Sequence, residues 1–157
     1  LFYAVKDVNP WHGFYLRRGE DIITGNNGDT SLNQTITRHE AYVEYDEVFN
    51  VNTQSLTKSG MRVVFKDENG VNINCDLILS FDDEGNCTIS TDSEDFTASG
   101  NGKFVKDGEK NSWGSKDRDA LYLDYEINLE QMHVATKDTL VLRNRGVTAE
   151  TFSPVIQ

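Results

Sequence analysis

Residues 119–128 read Asp-Ala-Leu-Tyr-Leu-Asp-Tyr-Glu-Ile-Asn, and this alternation constrains the fold more than any other stretch of the chain. Leu121, Leu123, Tyr125 and Ile127 fall on one side, Tyr122, Asp124 and Glu126 on the other. Successive side chains of extended backbone point to opposite faces, so a period of two marks a strand with one buried and one wet face. A second β-rich stretch runs from Asp138 to Arg145 and closes on Gly146, a residue free to take positive φ.

The same pattern recurs upstream. Phe14 to Arg18 alternates briefly, with Phe14 and Leu16 on one side, and the polar run Gly25 to Asp29 follows as a loop. Ile36 to Phe49 reads as one strand, with Ala41, Val43 and Tyr45 on one face and Tyr42 and Glu44 on the other. The polar residues after it allow a helical turn over Thr53 to Lys58. Met61–Lys66, Val71–Phe81 and Cys87–Thr91 then form a meander through the turns Asp67–Gly70 and Asp82–Asn86. Asn-Gly and acidic-Gly clusters between alternating runs are strong hairpin signals.

Phe96 to Val105 is rich in glycine, and Gly100-Asn-Gly102 fits a bulge or a bend. Lys106 to Lys116 reads as a polar loop, and the closing strands are placed at about 119–129 and 139–145. Seven or eight short strands without a long helix predict an all-β fold, an antiparallel up-and-down β-barrel of about eight strands. Closure is favoured because it leaves no long edge strand exposed. Leu77, Leu79, Phe81, Leu121, Leu123 and Tyr125 are the expected inward residues, and whether they fill the barrel or line a hollow one is left open.

At 157 residues the chain holds one core, read as a lead-in segment over 1–12 and a single barrel domain over 13–157. Its 26 acidic and 15 basic residues give a net charge of −11, which repels phosphate backbones and anionic lipid headgroups. Nucleic acid is therefore excluded as a partner, and so is membrane insertion by this domain, which has no apolar run of spanning length. The chain opens on Leu1 without a charged and then apolar leader, which reads as an excised domain or mature fragment. Cys75 and Cys87 sit among apolar neighbours, with Phe81 placed near Cys87 across the Asp82–Asn86 turn. Cys75 is then too far along the ladder for a disulfide, so two buried free thiols are expected.

No residue set carries catalysis, and none calls for a cofactor or a metal. The acidic stretch from Asp82 to Asp95 lacks the spacing of a calcium loop, and Asp suits turn geometry without any ion. Asp124 and Glu126 share a wet face, as carboxylates on any acidic β-surface do. His12, His39 and His133 lack metal-ligand spacing, and no serine or cysteine sits in a nucleophile elbow. Trp113 stands in a loop with Asn111 and Asp117, where an aromatic plane and polar groups together would suit the two faces of a sugar. The competing reading makes Trp113 a plug at one end of the barrel, or one half of a domain contact. Trp11 and His12, beside the Asn9-Pro10 turn, are the candidates for contact with a preceding domain.

Four segments carry a resemblance to a known family. They are Asn9-Pro-Trp-His-Gly-Phe-Tyr-Leu-Arg-Arg-Gly-Glu-Asp21, Gly100-Asn-Gly-Lys-Phe104, Arg118-Asp-Ala-Leu-Tyr-Leu-Asp-Tyr125, and Leu142-Arg-Asn-Arg-Gly-Val147 followed by Glu150-Thr-Phe-Ser-Pro154. The chain resembles the C-terminal domains of unknown function in surface lipoproteins of Bacteroidetes gut bacteria, which typically follow an immunoglobulin-like domain. That resemblance implies a lipocalin-like (calycin-type) barrel in an extracytoplasmic protein of the bacterial cell surface, with a lipid anchor outside this chain. It also implies a role beside polysaccharide uptake systems of the starch-utilisation type. The function expected is a non-catalytic accessory domain that assists glycan binding or presentation. A structural barrel packing on a preceding domain, and a lipocalin-like binder of small apolar ligands, are the alternatives. No catalytic residue is carried over.

Overall fold

The computed structural model describes residues 8–39 and 46–145, apart from the side chain of Trp113. Nine strands occupy the described residues: β1 (Gly13–Gly25), β2 (Gln34–Arg38), β3 (Glu47–Thr53), β4 (Lys58–Lys66), β5 (Asn72–Phe81), β6 (Asn86–Ser90), β7 (Thr97–Glu109), β8 (Arg118–Asn128) and β9 (Met132–Asn144). Each pairs antiparallel with its neighbour in the order β2-β1-β3-β4-β5-β6-β7-β8-β9, and β9 pairs back onto β1. Eight strands thus form a closed antiparallel barrel, an architecture consistent with a lipocalin-like fold. No helix among the described residues is long and apolar enough to cross a membrane.

The alternating residues go where their period sends them. Leu121, Leu123, Tyr125 and Ile127 of β8 are buried, as are Cys75, Leu77, Leu79 and Phe81 of β5. Burying each of the larger aliphatic side chains contributes roughly 1.5–3 kcal/mol. Tyr15, Leu79, Leu121, Tyr125 and Leu140 are all under 2% exposed, and side chains occupy the barrel interior. Both cysteines are free and buried, and Phe81 pairs with Cys87 across the β5–β6 hairpin. Burial raises their thiols, Cys75 to about 11 and Cys87 to about 12.

Several elements differ from the sequence expectation. β1 runs on from the expected Arg18 to Gly25; Tyr15, Arg17, Asp21 and Ile23 turn into the barrel, while Phe14 and Leu16 share the opposite face, where Leu16 is nonetheless buried. The expected strand from Ile36 to Phe49 is divided between β2 and β3. Gly19 faces Arg38, but Arg17 faces Glu47, where an unbroken ladder would bring Glu40. The face assignment for Ala41, Val43 and Tyr45 lies outside the described residues.

No helical turn forms over Thr53–Lys58. The amides of Gln54 and Ser55 both donate to the Lys58 carbonyl, and the Ser55 hydroxyl accepts from the amides of Thr57 and Lys58. The glycine-rich segment is the long strand β7, paired with β8 from Thr97 to Val105 and again at Glu109, so its irregularity falls between Val105 and Glu109 rather than at Gly100. The last strand begins at Met132, so the connection before it is a tight turn closed by the Leu129 amide on the Met132 carbonyl.

Candidate functional site

The ring of strands is nearly open at one seam. β3 and β4 pair only at Asn52–Gly60 and Thr53–Ser59. Beyond Asn52, β3 stays on β1 while β4 stays on β5, so the two strands part as the wall curves. The gap is a cleft of about 460 Å³. Alternation along β3 assigns its walls: Phe49 turns inward while Val48, Asn50 and Asn52 turn outward.

The cleft has an apolar floor and two polar sides. Phe49, Met61 and Leu77, all buried, form the floor, and Val48, 50% exposed, stands at the rim. Along one side Asn50 Nδ2 donates to Asn52 Oδ1 at 3.0 Å, and Gln54 continues the row. Gly60 makes room for Gln54, since a β-carbon there would lie 2.4 Å from Gln54 Nε2. On the other side Arg62 forks onto Asp76, Nε to Oδ1 at 2.6 Å and Nη2 to Oδ2 at 3.1 Å. The hydrogen bond from Arg62 holds the Asp76 carboxyl below its usual range.

Behind the floor lies a buried charged network. The Arg17 guanidinium carbon sits 4.8 Å from the centroid of the Phe49 ring, a cation–π approach. Arg17 Nε donates to Asp138 Oδ2 at 2.8 Å, and Arg38 Nη2 donates to Asp138 Oδ1 at 2.7 Å. Arg38 also forks onto Asp21 at 2.7 and 3.0 Å, and the Thr136 hydroxyl donates to Asp21 at 2.6 Å. Two guanidiniums thus meet two buried carboxylates, and Arg17 Nη1 also reaches the half-exposed Glu47 at 3.4 Å. Buried charges are tolerated on this condition, paired and hydrogen-bonded, because each alone carries a large desolvation cost. Burial raises the Tyr125 phenol beside them, so it stays a neutral hydroxyl within the network.

The residues favoured from sequence are distributed differently. Trp113 opens a short 3₁₀ turn, Trp113–Ser115, in the β7–β8 connection, and its side chain lies outside the described residues. Asn111 and Asp117 do come together there, but as loop closure: the Asn111 amide donates to Asp117 Oδ1 at 3.0 Å. That bond, ahead of the Lys110 charge, lowers the Asp117 carboxyl. Trp11 is 8% exposed and stacks on Phe81, ring centroids 4.0 Å apart at 6°, so it closes one end of the barrel. His12 Nδ1 accepts from the Thr53 amide at 3.0 Å, and the Asn9 side chain donates to the carbonyls of Ser55 and Lys58. The Asn9-Pro10 turn and Trp11 are therefore built into the barrel's end.

The remaining candidates have local partners. Glu126 meets His133 Nε2 at 2.8 Å, Asp124 meets Lys137 at 3.9 Å, and His39 Nε2 lies 3.2 Å from Arg18. Asp82 accepts the amides of Glu84 and Asn86 and so shapes its own turn. Sequence reasoning missed both the cleft and the buried network.

The fold and the cleft together define a class: an all-β, closed antiparallel barrel whose wall parts at one seam. The chain belongs to the family described as Domain of unknown function (DUF5627), which matches residues 10–146. It is also similar to a Bacteroides ovatus protein of unknown function, solved as a structural-genomics crystal structure at 2.40 Å resolution. The two are 50% identical with a TM-score of 0.85, over 93% of this chain and 46% of that one, so the present chain spans about half of that protein's length. A search of curated proteins gave no match.

Proposed function

We propose that this domain is a non-catalytic glycan-binding module of an extracytoplasmic bacterial protein, and that sugar binds in the β3–β4 cleft. The observation that carries the reading is the cleft's cross-section, with amides on one side, an ion pair on the other and apolar side chains between. A pyranose has apolar C–H faces and hydroxyls along its edges, and it needs those two kinds of surface at once. Binding pockets generally combine an apolar lining with a few convergent polar groups. The cell-surface setting rests on the family resemblance of the sequence, and likeness to a Bacteroides ovatus protein fits it.

The test is calorimetric titration of the chain with neutral hexasaccharides (maltohexaose, mannohexaose and xylohexaose), with two variants in parallel. Asn50→Ala/Asn52→Ala is expected to abolish binding while Trp113→Ala leaves it intact. Loss in Trp113→Ala alone would return the site to the β7–β8 loop. Binding of no hexasaccharide would leave the structural reading, in which the barrel packs on a neighbouring domain. The greater length of the Bacteroides ovatus protein, of which this chain covers 46%, favours that second reading.

A further inference from the structure

Resting on the glycan reading, we infer that the Arg62–Asp76 pair makes the cleft selective for neutral sugars with adjacent free hydroxyls, and against uronic acids. The ion pair leaves a donor and an acceptor side by side. Arg62 engages Asp76 through Nε and one hydrogen of Nη2, which leaves the second Nη2 hydrogen as a donor beside the remaining lone pairs of Asp76 Oδ2. Asn50 and Asn52 repeat the arrangement on the facing side. Their mutual bond uses one donor of Asn50 Nδ2 and one lone pair of Asn52 Oδ1, leaving the second Nδ2 hydrogen and the second Oδ1 lone pair as an adjacent couple.

A vicinal diol meets such a couple with one hydroxyl accepting and its neighbour donating. Two couples across an apolar floor therefore address both edges of one ring.

The charge pattern decides between neutral and acidic sugars. Arg62 is the cationic side chain that lines the cleft, and Asp76 already neutralises it in a bidentate pair. A ligand carboxylate would have to displace Asp76, or lie beside it, in a protein of net charge −11. Either course opposes binding. Both residues are more than half exposed and form no part of the buried core, so the pair can be altered without touching the barrel interior.

The experiment titrates the chain and its Asp76→Asn variant with the neutral hexasaccharides named above and with hexagalacturonate, after circular dichroism confirms the variant's fold. The wild type is expected to bind a neutral hexasaccharide and to ignore hexagalacturonate. Asp76→Asn frees the guanidinium, so it should weaken the neutral ligand about tenfold and gain measurable affinity for hexagalacturonate, the scale of one charge-assisted hydrogen bond. Arg62→Gln should weaken the neutral ligand without gaining the acidic one. Equal wild-type affinity for both ligands would overturn the selectivity while sparing the glycan reading. Unchanged binding in Asp76→Asn would likewise remove the pair from recognition. Binding of no hexasaccharide at all would overturn the glycan reading and this inference together.

Discussion

Gly19 lies opposite Asp138 across the β1–β9 ladder, and a β-carbon on Gly19 would sit 2.2 Å from Asp138 Oδ1 and 2.2 Å from the Lys137 carbonyl oxygen. The missing side chain is what allows the Asp138 carboxylate to lie against β1 and receive both Arg17 and Arg38. Gly19→Ala is expected to push Asp138 off its partners and lower unfolding stability by about 3–5 kcal/mol, the usual cost of breaking a buried ion pair. Urea unfolding of the two proteins measures it. A loss below about 1 kcal/mol would mean that the network shifts without separating.

Two carboxylates of this domain, Asp138 and Asp76, each pair with arginine, and their surroundings give them unequal weight. The Asp138 side chain is fully buried and that of Asp76 is 67% exposed. Asp138→Asn leaves two guanidiniums in the barrel with Asp21 as their one buried carboxylate and the half-exposed Glu47 at the edge, and a loss of about 3–5 kcal/mol is expected. For Asp76→Asn the expected loss is below about 1 kcal/mol, because water and salt already screen that pair. Parallel denaturation curves decide the point, and similar losses for both would refute the ranking.

Much of the barrel was legible because β5, β6 and β8 bury one face and wet the other, so their alternation is plain in the residues. β1 was harder to read for a physical reason. Its inward face carries Arg17, Gly19 and Asp21, and a residue scan that counts apolar positions sees only Tyr15 and Ile23. Asp138 has the same disguise, in phase with Met132, Val134, Thr136 and Leu140. A charged residue in register with an apolar series was the available signal for the buried network.

The cleft left no comparable trace. It arises from where β3 ceases to pair with β4, a long-range relationship that neither strand's composition encodes. Asn50, Asn52 and Gln54 read simply as a polar stretch after a strand, and Trp113 drew attention because an isolated tryptophan in a polar loop is conspicuous.

Trp11 is expected to act as a structural plug. Its indole stacks on Phe81, and its carbonyl accepts the Tyr15 hydroxyl at 2.6 Å. Trp11→Ala removes the stacked ring and leaves a void beneath the Asn9-Pro10 turn, for a loss of about 3–5 kcal/mol. Trp11→Phe keeps an aromatic face on Phe81 and should recover more than half of that. If Trp11→Ala unfolds at the same urea concentration as the parent, the ring does not close the barrel.

Stability should also fall in alkali, through groups that the fold keeps protonated. Burial raises the thiols of Cys75 and Cys87 from the ordinary 9.0 to about 11 and about 12, and burial likewise raises the phenols of Tyr15 and Tyr125. In each case the unfolded chain ionises first, at the lower ordinary value, while the native state keeps its proton. Above that value the unfolded state binds fewer protons than the native state, so the free energy of unfolding decreases as pH rises. The contribution is absent below about pH 8 and grows from about pH 9 to about pH 12. The urea midpoint should therefore fall steadily across the alkaline range accessible before the native thiols themselves ionise. Cys75→Ala/Cys87→Ala, compared with its own neutral midpoint, should show a shallower decline. At about pH 8, where the folded thiols keep their protons, iodoacetamide should label them only as fast as the barrel opens, since the thiolate is the reactive form. Rapid labelling of the folded protein at pH 8 would show that the thiols are neither shielded nor raised, and the alkaline slope would then need another origin.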